Sequence, residues 1–435
     1  MREFFAPQLD PLNPKRHLSQ IHTDFGERSV YDSAAYCTRC GICQQACPTY
    51  QIFHQETFSP RGRNQALRLL AEGKIKLAAN RQLIAQTTHT CLLCGRCTQA
   101  CAGKIPTAEH VLEIRRSLGQ RVLPRLLQAL LRLRSSAPKL FSFLLRTGFL
   151  LRNWGMVHLL KKVGLLRLQS LNWLKHADDI LPTRAGSLKK LLNDISFPQE
   201  EKDIKKIYLP SLEAEFFTPQ LAFSSLQAAG KATVLWSNMS SGLFEYVYGD
   251  LRQSRKCVRR LIVRHLKTGK GKLPLITDSI DVYNFLQRVP QLFAGNNFWQ
   301  KKAQNFAKRI VFVAELLPKK PTQKNTFISP VRLDPSALFT RESKAAQKSE
   351  EILKTIFKKN FVECSYTDTD TPAFGYALAQ LKLHEKIALN AVRAVARTQT
   401  GTVFTLSGLS ALELGYQLKK FYPSAKAEHI IRLNG

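Results

Sequence analysis

Cys37-Thr38-Arg39-Cys40-Gly41-Ile42-Cys43-Gln44-Gln45-Ala46-Cys47-Pro48 and Cys91-Leu92-Leu93-Cys94-Gly95-Arg96-Cys97-Thr98-Gln99-Ala100-Cys101-Ala102 are two copies of one pattern. Between them they hold all but two of the 10 cysteines of this 435-residue chain. The spacing C-x2-C-x2-C-x3-C is that of bacterial iron–sulfur proteins, and the first copy keeps the closing proline. Three cysteines at intervals of three fit one tight loop around three corners of a [4Fe–4S] cube. The fourth starts the next helix and points away, toward a second cube. The expected ligand sets are therefore crossed: Cys37, Cys40, Cys43 and Cys101 for one cluster, and Cys91, Cys94, Cys97 and Cys47 for the other. Gly41, Ala46, Gly95 and Ala100 are small, which lets backbone amides approach the sulfides. Structural zinc is the competing reading, but it uses paired C-x2-C knuckles with four ligands per ion. Disulfides fit less well, since cysteine clusters in a long chain with no secretory leader read as metal sites.

The charge is lopsided: 65 Lys+Arg against 32 Asp+Glu gives +33, with a pI near 10.0. Such a balance implies an anionic partner surface, whether nucleic acid, an acidic protein or an anionic bilayer. The start, Met1-Arg2-Glu3-Phe4-Phe5-Ala6-Pro7, does not read as a signal peptide, and no run of about twenty residues free of charge predicts a transmembrane helix. The cluster chemistry calls for a reducing compartment, the cytoplasm or its membrane face.

Along the chain, residues 1–30 are expected to be an extended arm, and Ser33 to begin a short helix into the first cysteine loop. Between the motifs, Ser59 is a candidate N-cap, Pro60 the first helical residue and Gly73 the stop. The motifs thus sit in an all-helical ferredoxin domain over 31–120. Arg61 and Arg63 either lie near a cluster and offset its charge or form a solvated helix start. Over 121–200, leucine and arginine interleave at helical spacing with almost no acids until Asp178. With Trp154 and Trp173, these basic amphipathic helices read as an interfacial membrane element; the alternative is packing on the chain's own core or on a partner. From about 205 the pattern becomes two rounds of short β-rich runs between helices, over 201–300 and 301–435. The expected strands start near Ile207, Thr233 and Leu273, and then near Thr326, Asn360 and Thr402. The rounds read as an α/β pseudo-repeat with parallel strands.

In this order, a two-cluster helical ferredoxin, the Ser59-Pro60-Arg61-Gly62-Arg63 helix start, a basic link and two α/β repeats, the chain resembles the glycolate oxidase iron–sulfur subunit family. It is similar also to the related iron–sulfur subunit of anaerobic glycerol-3-phosphate dehydrogenase and to heterodisulfide-reductase-type subunits. The resemblance implies an α+β multidomain fold with a pair of degenerate α/β repeats at the C-terminus. In the family each repeat carries a Cys-Cys-Gly signature and further single cysteines, which in some members bind an additional cluster. Here the corresponding positions read Pro210-Ser211-Leu212, Ser240-Ser241-Gly242 and Asp278-Ser279-Ile280, then Ser329-Pro330-Val331-Arg332-Leu333, Thr371-Pro372-Ala373-Phe374-Gly375 and Ser407-Gly408-Leu409. Outside the ferredoxin only Cys257 and Cys364 remain: Cys257, in a basic helix, does not fit a ligand position, and Cys364 follows a strand, where buried thiols are common.

No G-x-G-x-x-G fingerprint, P-loop or H-x-x-x-H zinc pair occurs. His265, in a basic helix, is expected to be solvated. The reading is an electron-transfer subunit with two [4Fe–4S] clusters and no flavin of its own. It relays electrons from a flavin dehydrogenase subunit acting on a 2-hydroxy acid or similar donor to a membrane acceptor such as a quinone or cytochrome. Its expected place is the cytoplasmic face of the inner membrane. The rivals are a heterodisulfide-reductase-like catalytic subunit, or a cluster-containing assembly or nucleic-acid-binding protein. No nucleic-acid motif supports the last.

Overall fold

The structure is a computed structural model that describes residues 34–118, 125–167, 172–181, 203–317, 327–335, 338–339, 343–363 and 381–434. Ser33, Cys364 and the stretch around Thr371 lie outside the described residues, as does the side chain of Trp173. Helices α1 (Ile42–Gln45) and α2 (Pro48–Phe53) follow the first cysteine loop, and α3 (Pro60–Ala71) and α4 (Arg81–His89) fill the insertion. Helix α5 (Arg96–Ala100) belongs to the second loop, and α6 (Thr107–Leu118) closes the module. The start of α3 forms as its sequence dictates. Pro60 occupies the first turn and the Ser59 hydroxyl accepts the Gly62 amide at 2.8 Å. A Cβ on Gly62 would stand 2.1 Å from the Glu56 carbonyl oxygen, so the backbone is packed directly on backbone there. Leu67, Leu70 and Ala71 of α3 pack with Ile84, Ile114 and Leu118 into a small core of the module's own.

The basic link comprises α7 (Arg125–Ser136), α8 (Pro138–Asn153), α9 (Met156–Lys162) and α10 (Asn172–Ile180). One face of α8 packs on the protein: Phe141 and Phe149 are buried, and Phe141 meets Phe216 edge-on at 5.6 Å. Asp178 gathers Arg152 at 2.5 Å and Lys161 at 2.6 Å, tying α10 back to α8 and α9. Among the described residues no helix is long and apolar enough to cross a membrane.

Then come β1 (Lys206–Leu209), α11 (Leu212–Phe216), α12 (Pro219–Ala229), β2 (Thr233–Leu235), α13 (Leu243–Val247), α14 (Leu251–Lys267), β3 (Leu275–Thr277), α15 (Ile280–Leu292), α16 (Asn297–Ala307) and β4 (Ile310–Phe312). A second unit follows with β5 (Val331–Asp334), α17 (Lys344–Phe357), β6 (Phe361–Val362), α18 (Leu381–Arg397), β7 (Thr402–Thr405), α19 (Gly408–Phe421) and β8 (Lys426–His429). The sheets run β2-β1-β3-β4 and β6-β5-β7-β8, parallel throughout. The strand order is the same in both. Each sheet has a fourth strand that the sequence reading did not contain. The missed strands are short, and β8 is a polar edge of lysine, alanine, glutamate and histidine. The sheets share one core that takes Tyr208, Ile276 and Phe312 from the first and Val331, Leu333 and Phe404 from the second. The Ile280 amide donates to the Leu406 carbonyl at 2.9 Å across the seam.

His265 is not solvated. It is 1% exposed, its Nε2 lies 2.7 Å from the Leu273 carbonyl, and Trp236 and Phe306 pack edge-on to its ring. Ser254, Val258, Leu261 and His265 share the buried face of α14, while its arginines point outward.

Candidate iron–sulfur site

The two cysteine loops have the same backbone. The residue before the second cysteine is left-handed in both, Arg39 at φ 60° and Leu93 at φ 55°. The glycine after it is left-handed too, Gly41 at φ 87° and Gly95 at φ 74°. These glycines are required for that turn, and they cap α1 and α5. Left-handed residues in a short loop are the ingredients of nest geometry, which suits a negatively charged sulfur cluster. The Leu93 amide already reaches the Cys91 sulfur at 3.4 Å. Helices α1 and α5 pack side by side, so the two loops face each other.

One arginine pins each loop through a carbonyl. Arg61 donates to the Arg39 carbonyl at 3.2 Å while its other nitrogens hold Glu56 at 2.8 Å. Arg115, fully buried, donates to the Cys91 carbonyl at 2.7 Å, the Thr88 carbonyl at 2.8 Å and the Val247 carbonyl at 3.3 Å. Arg115 therefore ties the second loop to the first α/β unit, and the Phe339 amide adds a bond to the Leu93 carbonyl at 2.6 Å. Arg115 was missed in the sequence. The available signal was its place on the apolar face of α6, in line with Ala108, Val111 and Leu112.

Cys37, Cys40, Cys43 and Cys101 line one cavity of about 160 Å³, with Cys97, Arg61 and Thr107 also on its wall. The Cys43 thiol is pushed up to about 11 by burial and then by Cys37, Cys101, Cys47 and Cys40 around it. Cys97 is driven well above the usual thiol range by burial, then by Cys94, Cys91 and Cys47. Cys47 thus stands within electrostatic reach of both groups. The groups differ in depth: Cys40 is exposed, whereas Cys91, Cys97 and Cys47 are buried.

Arg63 sits in the deeper group. Its Nη1 is 3.7 Å from the Cys47 sulfur, Nη2 donates to Thr49 and Thr90 at 3.0 and 3.1 Å, and Nε donates to the Thr87 carbonyl at 2.9 Å. Burial opposes its charge, but Cys91, Cys47 and Cys97 outweigh that and raise its pKa. Of the two expectations for the Arg61–Arg63 pair, the solvated helix start fails for Arg63. A hydrogen-bonded chain approaches from the other side. His110 is held neutral by burial, down to about 3, and lies 2.8 Å from the Asn64 side-chain oxygen. The Asn64 amide donates to Thr107 at 3.0 Å, and Thr107 bonds Cys97.

Cys37, Cys40, Cys43, Cys97 and Cys101 line the cavity. Among the described residues, no three His, Cys, Asp or Glu side chains converge as a single ion would need. A cube with separated corners fits this arrangement, with buried Arg63 supplying positive charge and the nests supplying amides.

Cys257 stands elsewhere, buried against Gly242 and Ser240 in the first α/β unit, its thiol pushed up to about 12 by burial. Hydrogen-bonding side chains fill the positions where the resemblance places single cysteines. Ser211 caps α11, Asp278 accepts from the Ser211 amide at 3.0 Å and from the Tyr208 hydroxyl, and Ser407 donates to Glu213 at 3.3 Å.

Two facing cysteine loops of one geometry, followed by paired parallel α/β units, define a ferredoxin-type iron–sulfur protein. The 4Fe-4S dicluster domain family matches residues 33–105. The whole chain is similar to the probable glycolate oxidase iron–sulfur subunit of Bacillus subtilis (strain 168), with 21% identity over 97% of this chain and 98% of that protein. It is also similar to the glycolate oxidase iron–sulfur subunit of Escherichia coli (strain K12), with 32% identity over 27% of this chain and 28% of that protein. Both similar proteins are glycolate oxidase iron–sulfur subunits, the family that the cysteine pattern resembles. No solved structure matches it.

Proposed function

We propose that the chain is the iron–sulfur electron-transfer subunit of an oxidoreductase complex. It holds two [4Fe–4S] clusters, one on Cys37, Cys40, Cys43 and Cys101 and one on Cys91, Cys94, Cys97 and Cys47. The observation that carries the reading is the pair of facing loops with left-handed residues at the same two positions, one near the surface and one buried. When bound, such clusters accept and release single electrons without large rearrangement. Everything else is done by this chain's residues. The thiols give up their protons to hold iron. The nests and Leu93 offer amides to sulfur. Arg63 places a fixed positive charge beside Cys47, and the packing of α3 and α6 keeps water from the deeper group.

The exposed Cys40 side offers an approach for one redox partner, while Arg115 and Phe339 set the deeper loop against the α/β units. No residue of the chain makes or breaks a substrate bond in this reading. The relatives' names point to a flavin dehydrogenase subunit, acting on a 2-hydroxy acid or similar donor, as the source of electrons. The acceptor is a quinone or cytochrome at the cytoplasmic face of the membrane, and the α/β units serve as docking surface.

Iron and acid-labile sulfide per chain after anaerobic purification, with EPR of the dithionite-reduced sample, test the assignment. About eight irons with coupled [4Fe–4S] signals, as two cubes require, are expected. Zinc in place of iron overturns the reading. About twelve irons would mean that the α/β units also bind metal, and the relay-only role fails.

A further inference from the structure

Helix α8 has two apolar faces. Phe141, Ser142 and Phe149 are turned into the protein, and Ser142 lies 2.6 Å from the Asn238 side-chain oxygen. The other face carries Phe143, Leu144 and Leu151, with Trp154 at the C-cap, all open to solvent, with Phe143 at 64% and Trp154 at 81% exposure. Leu159 of α9 and Val163 just after it are also open to solvent. An exposed apolar strip of this length on a folded chain marks a contact surface.

The charge around it has one sign. No Asp or Glu lies between Glu113 and Asp178. Asp178 and Asp179 are engaged by Arg152 and Lys161. Lys139, Arg146 and Lys162 flank the strip, are exposed, and have no acidic partner among the described residues. An apolar stripe rimmed by unpaired cations, with a tryptophan at the helix end, complements acyl chains below anionic headgroups. At 16 residues α8 is too short to cross a bilayer, so it lies in the interface plane.

We infer that the outward face of α8 and α9 is a lipid-docking surface that seats the chain on an anionic bilayer, with Phe143 and Trp154 inserted among the headgroups. The inference rests on the relay reading, in which the acceptor is in the membrane.

Flotation of the purified, cluster-loaded chain with phosphatidylcholine vesicles, with and without phosphatidylglycerol, tests it. The chain is expected to float only with the anionic vesicles. The double variant Phe143→Ser/Trp154→Ser removes side chains that touch nothing in the core, and is expected to keep its iron while binding about tenfold more weakly or less. Lys139→Gln/Arg146→Gln/Lys162→Gln should weaken binding and flatten its salt dependence. Wild-type chain that ignores the anionic vesicles overturns the proposal. So does a serine variant that floats like wild type, because binding is then general attraction to the +33 charge. If the serine variant instead loses association with the flavoprotein subunit while vesicles are ignored, the face belongs to a protein neighbour. Iron content and EPR are read on the same samples, so failure of the relay reading is scored apart from failure of the lipid face.

Discussion

Arg63 spreads its guanidinium over the Cys47 sulfur, two threonine hydroxyls and the Thr87 carbonyl where water does not reach. A fixed positive charge in such a place favours added negative charge, so it favours the reduced state of a cluster bound there. Replacing Arg63 by glutamine keeps some hydrogen bonds and removes the charge. The cluster held with Cys47 should become harder to reduce, its midpoint moving negative in an EPR-monitored titration while the other midpoint stays. The same variant leaves buried acceptors without donors and should cost about 2–4 kcal/mol of stability in urea unfolding. Arg63→Lys separates the effects: it keeps the charge and the midpoint but loses the fork.

The α3 start shows how much one element depends on a few residues. Ser59 caps it, Arg61 reaches back to the first cysteine loop, Gly62 gives way to the Glu56 carbonyl, and Arg63 turns inward. Alanine at residue 62 has nowhere to put its methyl group, because the obstacle is backbone. Gly62→Ala should cost roughly 3 kcal/mol, at the upper end for overpacking, and loosen the first loop. A lowered urea midpoint with loss of iron from the surface-facing site is the expected result; an unchanged midpoint would show that the α3 start can move away.

At the scale of the whole molecule, acidic groups lie buried along the seam between the two sheets. Glu213 is raised to about 7 by burial and then by Asp278 and Asp281; Asp281 is raised to about 7 by burial. Asp278 is raised as well, chiefly by burial. The other titratable groups here are Tyr208, bonded to Asp278, and His429, which burial holds neutral, down to about 4. The folded chain therefore binds the carboxyl protons of Glu213, Asp278 and Asp281 more tightly than the unfolded chain does. The stability these three carboxyls contribute is fully present below the ordinary carboxylate range and is lost as the pH climbs from about 4.5 to about 7, whereas the buried neutral His429 and His110 act in the opposite sense, costing stability as the pH falls below the ordinary imidazole range. For Glu213 alone the loss is about 3 kcal/mol. Glu213→Gln should flatten that slope and gain stability at pH 8, read from urea midpoints between pH 5 and 8; a slope identical to wild type would show that Glu213 is ionised in the folded chain.

The sequence by itself determined the features set by neighbours along the chain. The cysteine spacing fixed two like loops, Ser59 and Pro60 fixed a helix start, and the runs at Ile207, Thr233 and Thr402 fixed strands, because caps, turns and hydrophobic periods act within a few residues. Tertiary structure alone decided where charges went. His265 reads as a solvated member of a basic helix, Arg115 carries no expectation from the sequence, and both proved buried, because their partners, the carbonyls of Leu273 and Cys91, come from other segments. Strands β4 and β8 are too short to announce themselves and exist because a neighbouring strand offers its edge. Folding also divided the basic link into a face spent on the core and a face left to solvent, since both faces are apolar in sequence and only packing can choose between them.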